Sequence, residues 1–390
     1  GVVGLGQLGG SLAAALAAAG LPAGAHVVID DDESALEQAL DVEGVVAIVA
    51  DVGGSAGDSV RRVLARITAA RLVLNERMRA LLEARYARRD RPLPRAAERL
   101  ALLPRGAVVA ESEEPMWSLE SEKTTWVVFL RGAAAAGIDG LLLPLAQARL
   151  AARGAVAVRT FKTAGVSAED VEDRLVDRLG ARDVTLTTLP GDGEVWVRLR
   201  ARGRTHAAAV KRLAEVEGTV ADLLGDDCYG RDVDSLEAVV GRLLKEKGLW
   251  LSVAESCTGG LVGHRITSVA GSSAYFERGV MVYTNTAKEA MLGVDEAILR
   301  AHGAVSAQCA EAMARGICAR SGAACGIAVT GIAGPGGATP GKPVGTVYIA
   351  VAVRDAVEAR RFWFHGDRAS VKWQSSVMAL DMLRRKLEQL

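Results

Sequence analysis

Aromatic residues are scarce in this 390-residue chain, with six Trp, five Tyr and five Phe. That is too few for the stacking platform with which proteins grip single-stranded nucleic acid. A charge surplus is also missing, since Lys plus Arg and Asp plus Glu each total 47, whereas binders of phosphate backbones usually carry a basic excess. Nucleic acid is therefore not an expected partner. Cysteine is limited to Cys228, Cys257, Cys309, Cys318 and Cys325, an odd number without a C-x-x-C pair, which fits a reducing compartment and no structural zinc. His26, His206, His264, His302 and His365 offer no H-x-x-x-H spacing, so no metal-hydrolase site is expected. The uncharged stretch Leu12 to Ile29 is broken by Gly20, Pro22 and Gly24 and cannot form one membrane-spanning helix. It also lacks the basic flank of a secretory signal. A cytoplasmic protein without a membrane partner is predicted.

What is present is ordinary globular material, half hydrophobic and a quarter charged, long enough for two or three domains. Residues 1–150 alternate apolar runs such as Val45 to Val49 and Trp126 to Leu130 with Ala- and Arg-rich helical stretches. This rhythm predicts an α/β domain with a largely parallel sheet. Residues 151–234 change pattern. A strand over Val156 to Phe161, a helix over Ser167 to Leu179, two strands joined by Gly191-Asp192-Gly193 and a helix over His206 to Leu224 predict a small α+β module. The polar stretch Gly225 to Asp234 reads as its linker. From there βα alternation resumes, so residues 235–390 form a third, α/β domain. From Leu236 onward there are 18 Lys and Arg against 13 Asp and Glu, and before it 29 against 34; this mild asymmetry suits an anionic ligand in the C-terminal domain.

Gly4-Leu5-Gly6-Gln7-Leu8-Gly9, followed by Val27-Val28-Ile29-Asp30, matches the dinucleotide-binding pattern. An NAD-dependent oxidoreductase is thus one alternative. Only Val2 and Val3 precede the first Gly, however, and small residues that allow close helix packing explain the run equally.

The C-terminal domain carries a denser constellation. Strand-like Leu249 to Ala254 leads into Glu255-Ser256-Cys257-Thr258-Gly259-Gly260, and strand-like Gly326 to Val329 leads into Thr330-Gly331-Ile332-Ala333-Gly334-Pro335-Gly336-Gly337. Small-residue loops at the carboxyl ends of strands are where open α/β sheets bind ligands, and hydroxyls with exposed N–H groups at a helix start can hold an anion. Between them lie Ala270 to Phe276, strand-like Val280 to Tyr283 and Asn285-Thr286-Ala287-Lys288. If Asn285 caps the next helix, Lys288 falls at its third position, where the dipole disfavours an ammonium. Ser273, Tyr283 and Lys288 within 16 residues offer the parts of a Ser-Lys hydrolase. A capping Ser beside a solvated Lys remains the other reading of the same residues. Cys257 near a helix start is a rival nucleophile.

The segments AESCTGG (254–260), AGSSAYFERGVMVYTNTAK (270–288), HGAVS (302–306), VTGIAGPGG (329–337), KPVGTVY (342–348) and GDR (366–368) together resemble the C-terminal domain of the CinA family, the nicotinamide mononucleotide deamidase. The resemblance implies an amidohydrolase acting on a linear amide, converting that nucleotide to nicotinic acid mononucleotide and ammonia in pyridine nucleotide salvage, with no cofactor and no metal. It implies Ser273 as nucleophile, Lys288 as base and Tyr283 and Thr330 as further catalytic residues. Ser256, Thr258, Gly271, Asn285, Gly331, Gly334 and Arg368 would bind the nucleotide. A homodimer is the implied assembly. Gly337 to Gly341 lacks the Glu that usually precedes the family's Lys-Pro.

Upstream, Tyr86 to Val109 resembles the family's molybdopterin-cofactor-binding-like N-terminal domain and Arg159 to Leu175 its KH-like module. Two N-terminal loops depart from the family. Asp51 to Ser59 and Leu130 to Ala136 lack most of the carboxylates that would hold a divalent metal beside a pyrophosphate. The ADP-ribose pyrophosphatase activity of that domain, with its metal, is therefore expected to be lost. A non-enzymatic competence or repair scaffold is the alternative for residues 1–234.

Overall fold

The computed structural model describes residues 2–4, 25–27, 33–40, 44–50, 55–88, 90–130, 141–142, 144–145, 155–175 and 184–390. Chain contacts divide the molecule into a unit of residues 1–159, 183–185 and 200–215 and a unit of 160–182, 186–199 and 216–390.

In the first unit, β1 (Val2–Gly4), β2 (Ala25–Val27), α1 (Glu33–Leu40), β3 (Gly44–Ala50), α2 (Ser55–Ile67), β4 (Leu72–Leu74), α3 (Glu76–Ala87) and α4 (Arg95–Glu98) are followed by β5 (Leu102–Pro104), β6 (Val108–Val109), β7 (Met116–Glu120) and β8 (Thr124–Leu130). Six of these strands form a sheet in the order β2-β1-β3-β8-β7-β6. The β1, β2, β3 and β8 strands run parallel, and β7 and β6 return antiparallel. The expected parallel α/β domain is thus present, with an antiparallel edge. Val46, Ile48 and Val128 on the sheet pack with Leu36, Leu40, Val60, Val63 and Leu64 on the helices, each burial contributing about 1.5–3 kcal/mol. The buried Trp126 keeps its indole N–H satisfied on Leu40 O at 2.9 Å. Val2 to Gly4 does form a strand before the glycine-rich segment. The rest of that segment, Leu5 to Gly9, and the loops 51–54 and 131–136 lie outside the described residues.

In the middle module, β9 (Ala155–Ala164), α5 (Ala168–Leu175), β10 (Val184–Pro190), β11 (Glu194–Gly203), α6 (His206–Leu224) and β12 (Cys228–Arg231) build a sheet ordered β10-β11-β9-β12. Strict alternation places Val195, Val197 and Leu199 inward along β11. The stretch read as a linker contains the edge strand β12. Its polar composition hides it because the ladder to β9 and side-chain bonds supply its order: Asp232 accepts from Thr160 N at 2.9 Å and Asp234 from Arg231 N at 2.8 Å.

The C-terminal domain comprises α7 (Leu236–Lys247), β13 (Leu251–Glu255), α8 (Leu261–Thr267), β14 (Phe276–Met281), α9 (Asn285–Leu292), α10 (Glu296–His302), α11 (Ala307–Ser321), β15 (Cys325–Gly331), β16 (Thr346–Val353), β17 (Ala356–Trp363) and α12 (Arg368–Glu388). The sheet order is β14-β13-β15-β16-β17, with the first three strands parallel. Odd-numbered Val253, Ile327 and Val329 face α7, α8 and α12, while even-numbered Ala254, Ala328 and Ala350 face α9 to α11. Both faces are covered, which is why these strands read as continuous apolar runs. Asp381 and Arg384 in α12, both almost fully buried, pair at 2.7 Å, and Arg384 also donates to Asp226 O at 2.6 Å. Arg385 joins Asp381 to Asp227. These bonds tie the C-terminal half of α12 to the end of the middle module. Among the described residues no helix is long and apolar enough to cross a membrane.

Candidate active site

Parallel strands deliver their carboxyl ends to one edge of the sheet, and here β13, β14 and β15 end side by side at Glu255, Met281 and Gly331. Ser256 is the first residue past β13, and its N–H extends the ladder to Val329 O at 2.9 Å. Val282, past β14, donates to Glu255 O at 2.8 Å, which turns the chain back into α9. The cap of α9 is Thr284, whose hydroxyl accepts from Ala287 N at 3.1 Å. The expected cap, Asn285, is instead the exposed first residue of the helix, and Lys288 is its fourth rather than its third.

Lys288 is 1% exposed. Its Nζ donates to Val282 O at 2.8 Å and to Ser256 Oγ at 3.3 Å. Among the described residues no carboxylate pairs with it, and burial pushes its pKa below the ordinary lysine range, opposed by the thiols of Cys309 and Cys257. A buried amine with no counter-ion, touching a hydroxyl, is poised to take that hydroxyl's proton.

Ser273 does not meet Lys288. It lies exposed in a single 3-10 turn, Ser272–Ala274, just before β14, with Gly271 capping the turn. The six residues of β14, at about 3.3 Å each, put roughly 20 Å between that end of the sheet and the end bearing Lys288. Ser273 and Gly271 therefore stand at the opposite edge, away from the other candidates. The physical reason is that the 16-residue stretch from Ser273 to Lys288 includes a whole strand. The residue that reaches Lys288 is Ser256, 32 positions away in sequence.

A further correction concerns the helix start after Gly260. Its first free N–H groups are already taken: the almost fully buried Glu255 carboxylate accepts from Val262 N at 3.1 Å and Gly263 N at 2.8 Å. An exogenous anion would face that carboxylate. Burial pushes the Cys257 thiol up to about 12, which disfavours the thiolate that a cysteine nucleophile needs.

Tyr283 lies past the end of β14 rather than within it, 63% exposed, and its hydroxyl accepts from Arg368 at 3.1 Å. The other arm of Arg368 donates to Gly334 O at 2.8 Å. Arg368 thus joins the β14, β15 and α12 segments. Thr330, buried, donates its hydroxyl proton to Ala304 O at 2.8 Å, which leaves the oxygen as an acceptor. Gly331 is held by close approach: a Cβ there would stand 2.7 Å from Thr346 O. Thr258, fully buried, has a hydroxyl with no hydrogen-bond partner among the described residues. A cleft of about 600 Å³ is lined by Gly334, Pro335, Val344, Gly366, Arg368 and Lys372 among others. Lys372 went unnoticed in the sequence; its Nζ lies 3.5 Å from where a Cβ on Gly259 would be, over the Ser256 loop. Its spacing of four from Arg368, which places both on one helix face, was the available signal. Among the described residues no group of three or more His, Cys, Asp or Glu could hold a metal ion.

The sequence matches two family models, the damage-inducible protein CinA KH domain over residues 158–230 and the CinA C-terminal domain over 233–387. A competence-damage inducible protein of Moorella thermoacetica is 38% identical over 382 residues, covering 95% of this chain and 92% of its own. A CinA-like protein of Geobacter sulfurreducens is 38% identical over 391 residues, covering 96% and 94%. A solved structure of a CinA superfamily protein from Klebsiella pneumoniae is 37% identical, covers 40% of this chain and 97% of its own, and superposes with a TM-score of 0.39. With relatives of this identity matched over nearly their full length, the chain belongs to the CinA family.

Proposed function

We propose that the C-terminal domain is an amidohydrolase that converts nicotinamide mononucleotide to nicotinic acid mononucleotide and ammonia, with Ser256 as nucleophile and Lys288 as base. The observation that carries this reading is the contact between a buried, unpaired lysine amine and a serine hydroxyl at the carboxyl edge of the sheet. The family resemblance supplies the substrate.

In this scheme Ser256 Oγ attacks the carboxamide carbon while its proton passes to Lys288 Nζ. The C–N bond of the tetrahedral intermediate then breaks, and Lys288 returns the proton to the departing ammonia. Water attacks the resulting ester, gives a proton to Lys288, and the carboxylate leaves as Ser256 Oγ is reprotonated. Protons and bonds balance without a metal ion. Arg368 and Lys372 in the cleft supply positive charge for the substrate phosphate, whose binding energy holds the carboxamide in place. Ammonia release from nicotinamide mononucleotide in the presence of EDTA tests the reading: steady turnover is expected, and no release, or release only with added metal, contradicts it.

A further inference from the structure

The tip of the β10–β11 hairpin rests on the first turns of α12. Gly191 N donates to Glu194 O at 2.8 Å to close the turn, and Gly193 sits at φ +82°, a conformation that favours glycine. Ser370 Oγ donates to Asp192 Oδ1 at 2.7 Å. Gly193 lies directly on the helix, since a Cβ there would stand 3.4 Å from Gln374 Cα and from Val377 Cβ.

Ser370 is the hub of this end of the helix. Its N–H is capped by Asp367 Oδ1 at 2.8 Å, and its hydroxyl also accepts from Gln374 Nε2 at 2.9 Å. Gln374 reaches back to His365 O at 2.7 Å. At 100° per residue, Ser370, Gln374 and Val377 share one side of α12, while Arg368 and Lys372 share the opposite side, toward the cleft. The hairpin therefore presses on the back of the turn whose front carries the two cations.

From this geometry we infer that Asp192 is a positioning residue: through Ser370 it fixes the first turn of α12, so that Arg368 and Lys372 are held where they receive the phosphate of the substrate. The inference rests on the nucleotide amidase reading above. It assigns the middle module a part in substrate recognition although none of its described residues lines the cleft.

Three full-length variants test it: Asp192→Ala, Ser370→Ala and Asp192→Asn, whose amide oxygen still accepts from Ser370. The two alanine variants should raise KM for nicotinamide mononucleotide about tenfold with kcat within about twofold, since only binding geometry is lost. Asp192→Asn should restore KM. Nicotinamide riboside, which lacks the phosphate, should be processed equally by all forms. Hydrogen exchange across residues 366–374 should quicken in both alanine variants and return to the wild-type rate in Asp192→Asn. Unchanged KM and unchanged exchange in Asp192→Ala would overturn the inference, as would a KM rise that extends equally to the riboside. If the wild-type protein releases no ammonia, the amidase reading falls. The exchange rates then decide the clamp alone: unchanged rates overturn it, and quickened, Asn-restored rates uphold it.

Discussion

A lysine amine sealed from water with no carboxylate beside it costs the fold stability, and that cost marks Lys288 as the residue to perturb first. Its folded pKa lies below the unfolded value of about 10.4. The folded state therefore binds fewer protons across that window, and stability rises with pH through it. Below the folded pKa the penalty is present in full. Lys288→Met should accordingly abolish turnover while melting at a higher temperature than wild type at neutral pH, with the gap closing as pH approaches about 10.4. Melting curves over a pH series check this; a variant that melts lower at every pH would show that the amine stabilises the fold. Lys288 and Ser256 were both visible in the sequence as residues of suitable chemistry. Their pairing was not, because proximity in sequence favoured Ser273, and only the parallel register of β13 and β14 decides which serine shares an edge with the lysine.

At the scale of elements, the apolar runs that became β3, β8, β13 and β15 were legible because two-sided burial leaves an unbroken hydrophobic signature. The edge strand β12 was not, since Tyr229 is its one buried side chain and a single neighbouring strand with two aspartates supplies the rest of its order. Nor was the role of Glu255, whose carboxylate closes the start of α8 that its neighbouring hydroxyls and glycines advertised as an anion site. The helix α12 shows a comparable device inside the fold. Asp381 compensates Arg384 where both are cut off from solvent, so removing Asp381 leaves the buried guanidinium with Glu388, a partly exposed partner at 2.8 Å, as its remaining carboxylate. Asp381→Ala should destabilise the second unit by about 3–5 kcal/mol, read as a lower midpoint in urea denaturation. A loss below about 1 kcal/mol would mean that water or Glu388 takes over the role of Asp381.

For the whole molecule, the strand and helix pattern of the three segments was readable because local periodicity survives in each, whereas the way the middle module meets α12 depends on contacts between residues far apart in sequence, such as Asp192 with Ser370 and Asp227 with Arg385. Those contacts predict that a fragment beginning at Ser235 retains amide hydrolysis with a raised KM, because the proposed chemistry uses residues of the C-terminal sheet while the proposed support of α12 lies upstream. Kinetics of the purified fragment beside the full chain check it; a full loss of kcat would place part of the chemistry upstream. The central claim is narrower, that Ser256 with Lys288 forms the acyl-enzyme. Ammonia release from nicotinamide mononucleotide by full-length wild type, Ser256→Ala and Ser273→Ala, in EDTA, tests it most directly. Ser256→Ala should lower kcat by about a thousandfold or more while Ser273→Ala stays near wild type, and a silent Ser273→Ala beside an active Ser256→Ala would contradict the account.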